Sequence, residues 1–351
     1  MIVKNEEAVL TRCLDSIQQV VDEINIVDTG STDATKSIAA QYTSRIFDFP
    51  WIHHFAAARN FSFQQATKDY ILWLDADDIL TIDNQTKLQQ LKSTLSTAVD
   101  AVSMDYHLDF DEQEKVIHSL RRNRLVKRQR QFQWIGAVHE YLAVDGTIIN
   151  SDIAICHRPL SHDAARNIAI YERLLEAGEA FSPRDLYYYA NELKDHAKYA
   201  EAVDYYEKFL ATEQGWLEDC IHACFKLADC HHALQNEANA IRAVVRSLTF
   251  DSPRPEACCR LGFYFMEQHK NQQAIYWYKQ ALSITESTHA AFRNLTFTTW
   301  LPHLQLCVLY DRLQQYALAY EHHKQAKNFS PQHPQILHNE QYFQQLFSSD
   351  N

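Results

Sequence analysis

The sequence predicts an α/β domain with a mostly parallel sheet over residues 1–160, followed by an all-α domain of helical repeats over residues 161–351. Three observations predict this. Up to about residue 160, short apolar runs alternate with 3.6-periodic segments, the pattern of strand–helix–strand units with right-handed crossovers. Beyond that point the strand-like runs stop and the 3.6 period continues alone. In the second half, Ala202, Ala240, Ala274 and Ala319 occupy matching places in similar segments, with spacings of 38, 34 and 45 residues. Self-similarity near 34 residues marks stacked helix pairs.

Length and composition bound the function. A chain of 351 residues exceeds one ordinary core. Six glycines and eight prolines are few for this length and agree with a helix-rich chain. The net charge of −12 argues against nucleic acid as the main ligand. No apolar run reaches the roughly 18 residues that cross a bilayer. Lys4, Glu6 and Glu7 interrupt the start, so no signal peptide is expected. The eight cysteines lack paired zinc spacing; Cys220, Cys224 and Cys230, with His222, His231 and His232, read as buried helix thiols beside surface histidines. Scattered thiols fit a reducing compartment, and the expected location is cytoplasmic.

Element by element, Met1-Ile2-Val3 is the end of a strand whose beginning is missing, and Leu10, Leu14, Ile17 and Val21 fall on one helix face. Glu23–Val27 is a second strand ending at Asp28-Thr29-Gly30-Ser31, where Gly30 permits a turn and Ser31 or Thr32 caps the next helix. Ile46–Phe49 is a third strand, and a helix runs from Ala56 to about Ala66. The organising stretch is Tyr70-Ile71-Leu72-Trp73-Leu74-Asp75-Ala76-Asp77-Asp78, an apolar strand running into three carboxylates. Acids at the carboxyl edge of such a sheet lie where ligands bind. On a continuing strand Asp75 and Asp77 share a face and offer oxygen ligands suited to Mg²⁺ or Mn²⁺. Neither a GxGxxG nor a GxxxxGK[ST] motif is present.

These segments carry a resemblance. Met1-Ile2-Val3-Lys4-Asn5-Glu6-Glu7, Val27–Asp33, Ala58-Arg59-Asn60 and Leu74–Asp78 occur in one order at close spacing, and together they resemble glycosyltransferase family 2, the inverting nucleotide-sugar enzymes of the GT-A (Rossmann-like) fold. The resemblance implies that Asn5, Glu6 and Asp28 hold the nucleotide base. It places Arg59 near a uracil, and Asp75 and Asp77 as the DxD pair that meets ribose, metal and diphosphate. The family's first strand is longer, so base-binding groups ahead of Met1 are expected to be lacking.

A helix from Asp83 to about Leu95 and strands at 101–108 and 116–120 follow. The basic run Arg121, Arg122, Arg124, Lys127, Arg128 and Arg130 reads as a solvated strand edge. Its other reading is a surface that steers an anionic donor or acceptor, or touches a membrane face. Phe132–Glu140 resembles the tryptophan-to-His-Glu motif of family members with a repeat tail. Inversion needs a base opposite the leaving group; Glu140 is the first choice and His139 the second, and Trp134 is a candidate to stack on the sugar. Ile153–His157 is a last strand, and His157 matches the family's extra metal ligand beside Asp77.

From Ser161 a connecting helix leads into repeats that resemble tetratricopeptide units, the whole arrangement resembling bacterial peptide S-glycosyltransferases. Such arrays hold peptides or proteins or form homodimers. The expected function is transfer from a nucleotide sugar, first a UDP-sugar, to a peptide, protein or saccharide acceptor with Mg²⁺ or Mn²⁺. The competing reading is a degenerate transferase domain serving as a scaffold whose repeats bind protein partners.

Overall fold

A computed structural model describes residues 1–110, 114, 116–160, 164–284 and 294–348. The chain divides into two compact units, Met1–Ala180 and Phe181–Asn351. The sequence reading divides the chain at 160/161. The difference is the connecting helix Ala164–Glu176, which lies in the first unit, where the Arg166 guanidinium rests over the Phe55 ring.

The first unit opens as strand β1 (Ile2–Val3), helix α1 (Leu10–Ile17), β2 (Ile26–Asp28), α2 (Thr35–Ala39), β3 (Ile46–Asp48), α3 (Phe55–Gln64) and β4 (Tyr70–Leu72). Helix α1 buries Leu10, Cys13, Leu14 and Ile17 on one face, as its spacing requires. Strand β2 is buried throughout, so its polar residue, Asp28, sits at its carboxyl end. There Gly30, at φ 104°, makes the turn an L side chain would strain.

Strands β1, β2 and β3 form a parallel sheet in that order. The chain continues through β5 (Asp78–Ile79), α4 (Ile82–Thr94), β6 (Ala101–Phe110), β7 (Val116–Lys127), β8 (Trp134–Ile135), β9 (Tyr141–Leu142), β10 (Ile148–His157) and α5 (Ala164–Glu176). A second sheet has the order β4-β7-β6-β10-β5; β6 and β10 are parallel, and β7 and β5 run antiparallel to their neighbours. The parallel arrangement thus holds for the first three strands, while the later hairpin of β6 and β7 reverses one strand. Strand β7 lies between β4 and β6, so the basic run falls largely on an inner strand instead of the edge expected for it; Arg121, Arg122 and Arg130 are exposed as expected, but Arg124 is fully buried.

Among the described residues the second unit stacks four helix pairs: α6 (Pro183–Asp195) with α7 (Tyr199–Ala211), α8 (Leu217–Ala233) with α9 (Glu237–Arg246), α10 (Pro255–Glu267) with α11 (Asn271–Ser283), and α12 (Trp300–Arg312) with α13 (Tyr316–Phe329). Helix α14 (Pro334–Ser348) follows. The four matching alanines are each the fourth residue of the second helix of a pair and are fully buried. Each first helix ends on a residue in the left-handed region, Ala197, Gln235, His269 or Gln314, all at φ 57°. The next N–H in each case reaches back to a helix carbonyl: Lys198 to Leu193, Asn236 to His231, Lys270 to Phe265 and Gln315 to Tyr310, at 2.8–2.9 Å. This is a helix-ending turn repeated four times. The 38-residue spacing arises because α8 has 17 residues where α6 and α10 have 13. Gly262 lets α10 approach α11, since a Cβ there would meet the Tyr278 ring at 2.9 Å. All eight cysteines are buried and free.

Candidate active site

The site forms where β4 ends. Strand β4 stops at Leu72, and residues 73–77 turn away rather than continuing as strand. The shared face expected for Asp75 and Asp77 therefore does not arise, and the two carboxylates serve different neighbours. The turn closes with Asp78 N–H donating to the Asp75 carbonyl at 3.1 Å, and Asp75 N–H to Asp78 Oδ2 at 2.9 Å. Strand β5 then pairs antiparallel with the end of β10, setting Asp78 opposite His157.

Asp75 meets Arg59, which projects from α3: Nη2 donates to Asp75 Oδ1 at 2.8 Å, and Nε donates to Glu140 Oε1 at 2.5 Å. One guanidinium thus joins the two carboxylates. Its carbon lies 4.8 Å from the Trp134 ring centroid and 5.5 Å from that of Trp73. Burial pushes the Asp75 carboxyl up, but Arg59 first and Arg124 next outweigh it and hold it down at about 2. Trp134 is buried, edge-on to Trp73 at 4.8 Å, and Asn60 bonds both its N–H and its carbonyl. It supports Arg59 from one side. His139 lies in the bend between β8 and β9 at φ 50° and is half-buried. A cavity of about 270 Å³ is lined by Asp75, Glu140, Arg59, Trp134, Tyr106 and Arg122, among others.

Asp77, Asp78 and His157 form the second grouping. One ligand atom from each lies within 4.8 Å of the others. His157 Nδ1 is 3.5 Å from a carboxylate oxygen of both Asp77 and Asp78, and 2.9 Å from the Tyr106 hydroxyl. Burial pushes the Asp77 carboxyl up, an effect His157 opposes and Asp75 and Asp78 reinforce. Burial would lower the His157 imidazole, yet the facing carboxylates of Asp78 and Asp77 raise it. Asp78 Oδ1 is buried with no hydrogen-bond partner among the described residues. Two carboxylates and an imidazole converging within 4.8 Å, with Asp78 Oδ1 buried and facing His157 Nδ1 at 3.5 Å, fit a divalent cation such as Mg²⁺ or Mn²⁺.

The groups expected at the nucleotide base form one rim. Asn5 is in the left-handed region at φ 55°; its Oδ1 accepts from Thr32 N–H at 2.8 Å, and its own N–H donates to Ser31 Oγ at 3.0 Å. Asp28 Oδ1 accepts from the N–H groups of Gly30 and Ser31, each at 3.0 Å, while its buried Oδ2 has no partner among the described residues. Glu6 is held through its N–H on Thr35 Oγ1, and burial, then Asp77, push its carboxyl up to about 7.

The structure therefore brings Arg59, Asp75, Trp134 and Glu140 to one cavity, Asp77 and His157 to a second cluster, and Asn5 and Asp28 to a shared turn. Sequence reasoning missed Arg124 and Tyr106. Arg124 reads in the sequence as one charge of the basic run; its burial beside Leu125 and Val126 follows from the inner place of β7. Nothing in the sequence singles out Tyr106.

Residues 1–155, all within the first unit, match the family model described as Glycosyl transferase family 2. The SPbeta prophage-derived glycosyltransferase SunS of Bacillus subtilis is 26% identical over 228 residues, covering 59% of this chain and 51% of that protein. The lipopolysaccharide core biosynthesis glycosyltransferase LpsC of Rhizobium meliloti is 28% identical over 177 residues, covering 46% of this chain and 63% of that protein. A TPR repeat-containing protein of Synechococcus elongatus is 43% identical over 89 residues, 25% of this chain and 22% of that protein. The chain spans less than two thirds of the length of each. Among solved structures, MamA aligns at 17% identity with a TM-score of 0.39, over 47% of this chain and 88% of that one. No helix among the described residues is long and apolar enough to cross a membrane.

Proposed function

We propose that the chain transfers a glycosyl group, with inversion, from a nucleotide-sugar donor, first a UDP-sugar, to a peptide, protein or saccharide acceptor. The observation that carries this reading is the placement of two groups of charged side chains around the turn between β4 and β5. Asp77, Asp78 and His157 are arranged as cation ligands, and Asp75, Arg59 and Glu140 line a cavity next to them.

In this reading Asp77, Asp78 and His157 hold Mg²⁺ or Mn²⁺. A bound cation supplies charge neutralisation for the departing diphosphate. Asp28, with Asn5 and Glu6 on the same rim, faces the base and ribose. Arg59 keeps Asp75 ionised and fixes the Glu140 carboxylate by its Oε1, leaving Oε2 for chemistry. An acceptor hydroxyl or thiol attacks the anomeric carbon; the carbon–acceptor bond forms as the bond to the diphosphate oxygen breaks. The bonding pair leaves with the diphosphate, and the acceptor proton passes to Glu140. Trp134 and Trp73 support the guanidinium rather than touch the sugar, and His139 orders the bend that presents Glu140. The buried free thiols suit a cytoplasmic setting.

The test is turnover of UDP-sugars by the full chain with and without Mn²⁺, beside D77A. Cation-dependent release of UDP that is lost in D77A supports the reading. Release that is absent for the unsubstituted chain with every nucleotide sugar, or unchanged in D77A, refutes it.

A further inference from the structure

Arg124 lies outside the residues that resemblance or spacing single out, yet it is fully buried and bonded to both sides of the acidic turn. It stands on β7, where its carbonyl accepts from Trp73 N–H at 3.2 Å and its Nη1 donates to the Trp73 carbonyl at 3.3 Å. The same Nη1 donates to Asp78 Oδ2 at 3.0 Å, and both side chains are wholly excluded from solvent. Its guanidinium carbon sits between two rings, 3.9 Å from the Trp73 centroid and 4.1 Å from that of Tyr106. Tyr106 in turn holds His157 by its hydroxyl at 2.9 Å.

A guanidinium sandwiched between aromatic rings cannot turn freely, and its charge offsets the carboxylate it faces. Its contacts run in two directions. Through Asp78 Oδ2, which also receives the Asp75 N–H, it fixes the turn that carries Asp77. Through Tyr106 it meets the ring that fixes His157. Asp77 stands in the turn before β5 and His157 at the end of β10, and Arg124 is bonded or packed to a residue next to or holding each of them. Buried ion pairs seldom add net stability over an apolar replacement, so stability alone gives little reason for one here.

We propose that Arg124 is a positioning residue for the divalent-cation site: through Asp78 and Tyr106 it sets the separation and direction of Asp77 and His157 before any cation arrives. The proposal rests on the reading that these residues bind a cation. Removing groups that orient metal ligands weakens metal affinity by roughly 10–100-fold.

The test is Mn²⁺ titration of the full chain, followed by electron paramagnetic resonance of the free ion, with UDP present, for the unsubstituted protein, R124K and R124Q. Circular dichroism of each metal-free variant reports the folded fraction. The expected result is Mn²⁺ affinity per folded molecule reduced about 10-fold in R124K and about 100-fold in R124Q. Lysine recovers part of the loss because it restores the charge without the planar stack. R124K carries the test should R124Q not fold. A purely structural role would lower the folded fraction and leave the affinity of the folded molecules unchanged, and that outcome overturns the proposal. Absence of Mn²⁺ binding by the unsubstituted chain overturns the cation site itself, and the brace with it.

Discussion

The two units differ in how deeply they bury ion pairs. In the helical unit, burial drives titratable groups to their neutral forms: the His222 and His322 imidazoles are pushed down to about 4, and the Cys230 and Cys258 thiols up to about 11. Arg254 pairs with the buried Glu218, also takes in Asp251, and ties the segment before α10 to α8. In the sheet unit the paired charges are buried deepest, while burial pushes the Glu6 and Asp77 carboxyls up. Arg124 and Asp78 are both at zero exposure, and Arg59 spans Asp75 and Glu140 at a cavity wall. Keeping ions out of water is costly unless a bond or a ligand compensates them. The difference separates a region built for packing from one built to hold charge against a ligand.

That contrast can be broken most severely at Glu140. Glu140→Gln should cut glycosyl transfer by about 10²–10⁴-fold, the usual contribution of a positioned proton acceptor, while UDP-sugar binding stays near normal. Single-turnover kinetics beside donor calorimetry would show it, and unchanged transfer would remove Glu140 from this role. In the helical unit the corresponding change is a packing one. Leu306 is fully buried in a cluster with Tyr278, Tyr310 and Phe343, and Leu306→Ala should destabilise that unit by about 2–5 kcal/mol. Urea denaturation followed by circular dichroism measures this, and Mn²⁺ affinity should stay as it was.

A smaller effect sharpens the comparison through pH. Glu6 has its carboxyl raised to about 7, so the folded chain binds a proton there that the unfolded chain has already released. Stability therefore falls as pH rises from the ordinary carboxylate range through about 7, and the cost is complete above it. Glu6→Gln removes that cost. The variant should gain thermal stability relative to the parent at pH 8 and little at pH 4, as scanning calorimetry would reveal; an equal change at both values would contradict the assignment.

Much of this was legible in the sequence, and the rest was hidden for physical reasons. Strands ending at Asp28 and near Asp75 follow from apolar runs meeting acids, and the alanine register gave all four helix pairs. The end of β4 is hidden because Trp73-Leu74 is as apolar as the strand before it and Trp73 N–H still bonds the Arg124 carbonyl across the ladder; the turn shows only in the hydrogen bonds between Asp75 and Asp78. The four helix-ending turns were invisible because Ala197, Gln235, His269 and Gln314 replace the glycine that usually marks a left-handed residue. Arg124 was misread as a solvated charge because strand order, which puts β7 inside the sheet, cannot be read from one strand's residues.

The central claim is that Asp77, Asp78 and His157 form the cation site of a glycosyl-transfer centre. Anomalous diffraction from crystals of the full chain grown with Mn²⁺ and UDP tests it directly. The account predicts one strong manganese peak within bonding distance of Asp77 and His157, with UDP phosphate oxygens completing its shell. UDP bound with no manganese at these residues, or manganese and UDP bound elsewhere, would contradict it.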